Sequence, residues 1–117
     1  MLSKKNRISK KEFSHILTFG KRYNSNNLMF YIALNSNKEN KNRQSKFSFS
    51  VSKKVEGSAV KRNKLRRQGY SIINRYIKQI KENTFLFFVF KKGSNTITFN
   101  NLEKEIFGLL STSGMLL

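Results

Sequence analysis

Phe47-Ser-Phe-Ser-Val-Ser-Lys-Lys54 is followed, after a four-residue break, by Ala59-Val-Lys-Arg-Asn-Lys-Leu-Arg-Arg67. From Lys46 to Ser52 the alternation is strict: Phe47, Phe49 and Val51 face one way, Ser48, Ser50 and Ser52 the other. This is the period of a strand with one apolar face for a helix to cover and one small hydroxyl face that forms a shallow polar floor. The second run reads as a helix starting near Ser58, with Gly57-Ser58 as its cap. One turn apart, Arg62 and Arg66 share one column and Asn63 and Arg67 the next. The stripe Leu65, Ile72, Ile73, Tyr76, Ile77 and Ile80 carries the helix to about Lys81, packed on a sheet. Arg62 projects in the direction of Ile80, and Arg66 between Ile73 and Ile77. Burying unpaired guanidiniums costs several kcal/mol, so the first two turns are expected to overhang the sheet and present their arginines outward.

The charge of this stretch is as informative as its period. Lys53, Lys54, Lys61, Arg62, Lys64, Arg66 and Arg67 stand against a single acid, Glu56. Stacked like charges destabilise a lone helix by a few tenths of a kcal/mol per pair, so an anion lying across them is expected. The free N–H groups at the helix start favour phosphate in the same place. The whole chain of 117 residues repeats the message, with 24 Lys and Arg against six Glu, no Asp and a formal charge of +18. Such a balance points to a polyanionic partner.

Working outward, Met1 to Ile8 reads as a basic mobile lead, and Ser9-Lys-Lys-Glu12 as a capping box. The helix that follows carries Phe13, Ile16 and Leu17 on its apolar stripe, leaves His15 at the surface, and is placed to close at Phe19 and Gly20. Lys21 to Asn24 is a short strand, Asn24 to Asn27 a turn, and Leu28 to Leu34 a buried strand. Asn35 to Ser45 is a polar loop. Thr84 to Phe90 is too continuously apolar for an edge strand and belongs inside the sheet. Lys91 to Asn95 is a basic turn. The last helix runs from about Asn100 to Leu110, with Asn100 and Glu103 at capping-box spacing and Leu102, Ile106, Leu109 and Leu110 on one face, before a frayed tail from Ser111 to Leu117. The result is a single α+β domain of order αβββαβα.

Catalytic signals are weak. Absence of cysteine excludes disulfides and Cys-ligated zinc. A protein nuclease holds its metal ions with carboxylates, and six scattered Glu do not suggest such a site. No apolar run reaches the length of a membrane span, so a cytoplasmic protein with no membrane partner is expected.

Ser50-Val-Ser-Lys-Lys54 with Ala59 to Arg67 resembles the bacterial ribonuclease P protein component. The likeness extends over nearly the whole chain: the Phe13 helix ending in Gly20, the Phe30-Tyr31 strand, the Arg-Asn-x-x-Arg-Arg helix and the closing amphipathic helix occur in order. It implies a four-stranded sheet with a left-handed βαβ crossover through the arginine-rich helix, a fold of the kind seen in a ribosomal protein domain. It also implies a subunit that assists a catalytic RNA, working with Mg2+, in removing the 5′ leader from precursor tRNA. Arg62, Asn63, Arg66 and Arg67, with Lys61 and Lys64 between them and Lys53 and Lys54 as a flank, look like the face that docks on the catalytic RNA. Phe13, Leu17 and Tyr31 look like the cleft that contacts the single-stranded leader, over the floor of Ser48 and Ser50. Three departures stand out. Relatives usually carry an aromatic at the place of Leu17, Glu56 looks inserted, and Gln68-Gly-Tyr-Ser71 replaces an apolar pair with Arg-Glu. Gly69 is expected to weaken the helix by roughly 1 kcal/mol relative to Ala. The rival reading is a structural RNA-binding protein of ribosomal type, which requires no aromatic cleft beside the arginine helix.

Overall fold

A computed structural model describes residues 8–34 and 45–117. The basic lead through Arg7 and the loop from Asn35 to Gln44 lie outside the described residues. The elements are α1 (Lys10–Phe19), β1 (Lys21–Asn24), β2 (Leu28–Leu34), β3 (Lys46–Ser50), α2 (Ala59–Tyr76), β4 (Thr84–Phe90) and α3 (Phe99–Thr112). Short 3-10 turns at Ile77–Gln79 and Ser94–Thr96 follow α2 and β4. The strands form one mixed sheet in the order β1-β2-β4-β3, with β3 parallel to β4 and the other pairs antiparallel. A parallel pair needs a crossover, and α2 supplies it. As its composition predicts, β4 is an inner strand.

The two faces of the sheet are covered unequally. One face turns Leu28, Phe30, Ile32, Phe47, Phe49, Leu86, Phe88 and Phe90 toward α2 and α3, which contribute Leu65, Ile72, Ile73, Leu102, Ile106 and Leu110. Across three strands Phe30, Phe88 and Phe49 stack in register, at ring separations of 4.3 and 4.8 Å and interplanar angles of 8°. Among the described helices, the other face meets α1. Ile16 packs with Ala33 and Phe85, and Ile8, assigned from sequence to the mobile lead, is buried in the same small cluster.

Several boundaries differ from those expected, each for a local reason. α2 gives way to a 3-10 turn after Tyr76 instead of continuing to Lys81. α3 is capped by the Thr98 hydroxyl, which accepts from the Asn101 N–H at 3.2 Å, so its start lies before Asn100. The tail is pinned. Gly114, at φ 76°, reverses the chain after α3; Leu116 then bridges Ile80, and the Leu117 N–H donates to the Gln79 carbonyl at 2.7 Å.

Gly69, expected to be a weak point, is a packing requirement. A Cβ there would lie 2.6 Å from the Phe49 ring, so α2 approaches β3 more closely than any side chain at that position permits.

Candidate nucleic-acid interface

Helix α1 leaves part of its sheet face open. The Ser9–Glu12 capping box forms, with the Ser9 N–H on the Glu12 carboxylate at 2.7 Å, and the same carboxylate pairs with Lys46 of β3 at 2.9 Å. Burial alone would raise the Glu12 pKa, but the hydrogen bonds from Ser9 and the Lys46 ammonium outweigh it and hold the group below its usual range. These contacts anchor α1 over the cross-strand row Ala33–Phe85–Lys46. The next rows, Arg22–Tyr31–Phe87–Ser48 and Asn24–Met29–Val89–Ser50, are only partly covered by the described residues.

Cross-strand partners share a face, so these rows form a half-exposed floor beside α1. Phe13 meets Phe87 edge-on at 4.9 Å between ring centres, and Tyr31 stacks on Phe87 at 5.9 Å. Of the cleft residues named from sequence, Phe13, Tyr31 and Ser48 therefore converge on Phe87, and Ser50 occupies the next row. Leu17 stands one turn along α1 and is 65% exposed. Sequence reading missed Phe87 and Arg22. Phe87 sits in an unbroken apolar strand that reads as core, and Arg22 joins the row only through a register that short strands do not announce.

The basic run begins where the floor ends. β3 leads from Ser48 and Ser50 into the exposed Lys53 and Lys54. The Val55 and Glu56 N–H groups then bond the Ser52 carbonyl at 3.1 Å, and Ser58 caps α2 by accepting from the Lys61 N–H. Lys61, Asn63, Lys64 and Arg67 are exposed, Arg62 and Arg66 half-buried. Arg62 departs from the outward display expected of it: its guanidinium turns back to donate to the Glu56 and Gly57 carbonyls, both at 2.9 Å, and braces the loop before the helix. Arg66 donates to the Asn63 side-chain oxygen one turn earlier. Glu56 acts as part of the helix start, its carboxylate accepting the Ser58 N–H at 3.1 Å, a bond that keeps its pKa low.

Among the described residues, ion pairs form between Lys46 and Glu12 and between Arg75 and Glu103. None involves the seven cations between Lys53 and Arg67. Among the described residues Glu56 is the one acid within this run, so its charge is in large excess beside an aromatic floor, the combination that binds single-stranded nucleic acid without reading its sequence. No group of three or more His, Asp or Glu that could hold a metal ion occurs among the described residues, and none of their helices is long and apolar enough to cross a membrane.

The family model for ribonuclease P matches residues 2–114. The ribonuclease P protein component of Syntrophomonas wolfei is 30% identical over 116 residues, covering 98% of this chain and 92% of the relative. That of Clostridium botulinum strain 657 is 34% identical, covering 96% and 97%. Among solved structures, the RNase P protein of Staphylococcus aureus superposes with a TM-score of 0.83 at 19% identity, over 96% of this chain and 98% of that one. The RNase P protein of Thermotoga maritima does so with 0.78 at 21% identity, over 91% and 96%. These likenesses show the same fold.

Proposed function

The chain belongs to the ribonuclease P protein family, and from that membership we propose how its two surfaces divide the work of the enzyme. It is a protein subunit of the ribonuclease P endoribonuclease, acting in tRNA processing as part of a ribonucleoprotein. In our reading the basic face, Lys53, Lys54 and the first turns of α2, docks on the catalytic RNA subunit. Lys61, Lys64, Arg66 and Arg67 meet its phosphates, while Asn63 orients Arg66 and Arg62 holds the docking loop in shape. The cleft of Phe13, Tyr31 and Phe87, with Ser48 and Ser50 as its polar margin and Leu17 at its lip, holds the single-stranded 5′ leader of precursor tRNA in the cytoplasm.

The observation that carries this reading is the half-exposed aromatic row beside a basic run that makes no ion pair among the described residues. Catalysis belongs to the RNA. In this reading Mg2+ works with the catalytic RNA, and the protein supplies position and charge. The test separates the surfaces. Arg66→Ala or Arg67→Ala weakens assembly with the catalytic RNA whatever substrate is present. Phe13→Ala and Tyr31→Ala leave assembly nearly intact but weaken precursor binding by ~1–3 kcal/mol for a stacked base, and binding of mature tRNA, which has no leader, does not change. Folded Phe13→Ala and Tyr31→Ala proteins that keep the full preference for precursor overturn the cleft assignment.

A further inference from the structure

A cavity of about 460 Å³ opens at the β1 edge of the sheet, away from the basic run. Its origin lies in unequal strand lengths. β1 pairs with β2 only as far as Lys21 opposite Ile32, so among the described residues the last two of β2 have no strand partner on that side. The last turn of α1 forms one wall, and Met115, just beyond α3, lies on the other side. His15, expected at the surface, is half-buried here, with its Nε2 3.1 Å from the Leu34 carbonyl and its ring 5.1 Å from that of Phe19. Phe19 and Tyr23 add rings to the wall, and Lys21 places a cation on it. None of the described residues lining the cavity is acidic. Phe19 is 73% exposed, in a chain that buries most of its other phenylalanines.

Rings, a lone cation and no acid suit the base and phosphate of an unpaired nucleotide. The source follows from continuity with the cleft. The row Ser48–Phe87–Tyr31–Arg22 crosses all four strands and ends at the β1 edge, where Lys21, adjacent to Arg22 but pointing to the opposite face, joins the wall of the cavity. We propose that a leader nucleotide beyond those lying on the cleft floor passes over this edge and places its base against Phe19, with its phosphate at Lys21. The inference rests on the cleft reading and deepens it, making the grip on the leader dependent on leader length.

The experiment uses holoenzyme reconstituted with the ribonuclease P RNA and a series of precursor tRNAs whose leaders lengthen one nucleotide at a time. Wild-type affinity should rise in two stages. Phe19→Ala and Lys21→Ala, both exposed positions, should keep the first stage and lose about fivefold or more from the second, the lower end of one base stack. Phe13→Ala and Tyr31→Ala lose the first stage, so failure of the cleft reading is seen separately, as no effect of those two variants. Three outcomes overturn the proposal: no loss at any leader length in Phe19→Ala, an equal loss at every length, or loss of a concentration-dependent self-association of the free protein, which would assign the cavity to a second copy of the chain.

Discussion

Replacing Gly69 with Ala sets two effects of known sign against each other. Within α2, alanine is favoured over glycine by about 0.8–1.0 kcal/mol. The new methyl, however, would lie 2.6 Å from two carbons of the Phe49 ring and 2.8 Å from a third. That ring cannot swing clear: Phe88 stacks on it at 4.8 Å, Tyr70 meets its edge at 5.0 Å, and Phe90 lies at 6.3 Å. Overpacking of this kind costs about 1–3 kcal/mol, and the confinement of Phe49 places the cost in the upper part of the range. The net expectation is destabilisation by roughly 1–2 kcal/mol, or a fall of about 4–8 °C in Tm for a chain of this size. Gly108 is the internal control. It lies exposed in α3, and a Cβ there meets nothing within 4 Å, so Gly108→Ala should stabilise by about 0.8–1.0 kcal/mol. Urea unfolding followed by circular dichroism measures both. If the two variants shift in the same direction, the argument from close approach fails.

Other expectations concern charge. Binding to RNA should weaken with salt at a log-log slope of about 3 or more if at least four of the seven cations meet phosphates; a flat response would mean that the run is merely solvated. Purified protein free of RNA should not cleave precursor tRNA, and cleavage that survives repurification would contradict the assignment of catalysis to the RNA. Glu105 of α3 accepts from the Ser25 hydroxyl and the Asn27 side chain, both at 2.6 Å, and from the Asn27 N–H at 2.8 Å. Burial alone would raise its pKa, yet these bonds and the nearby Lys91 charge hold it below the ordinary value. A depressed folded pKa means stability that is present above the ordinary carboxylate value of about 4.5 and lost as pH falls through the folded one. Glu105→Gln should therefore flatten the acid limb of the urea midpoint measured from pH 6 to pH 3, and an unchanged limb would refute the role.

Most elements could be read from sequence because period and capping are local. Alternation at Phe47, Phe49 and Val51, the Ser9–Glu12 box and the unbroken apolar run of β4 each sit within a few residues. What escaped reading depends on register and close approach. Nothing near Gly69 reveals that Phe49 fills the space of its missing side chain, so its helix propensity alone gives the wrong sign. Phe87 looked like core because every neighbour in its strand is apolar; only the placement of α1 over the adjacent row leaves it open. Arg62 belongs to the motif by its spacing, but its hydrogen bonds run back to the loop, since the carbonyls of Glu56 and Gly57 lie within reach before the helix begins. The spacing of α1 puts His15 at the surface, because the edge carbonyl of Leu34 that it meets comes from a strand distant in sequence.

The strand order β1-β2-β4-β3 also has a consequence for the time at which the protein becomes competent. In a growing chain, β1 and β2 can pair at once, and β3 and α2 follow, but the strand that joins the two halves of the sheet is the last of the four to be made. Until Thr84–Phe90 inserts between β2 and β3, Tyr31 and Ser48 have no common floor and Phe13 has no Phe87 to meet. Pairings between distant segments are slow to form because the loop must close before any contact rewards it. A nascent chain that has passed Arg67 but not Phe90 therefore carries the full basic run of α2 without the assembled floor, and on the reading proposed above attracts RNA before it can hold a leader.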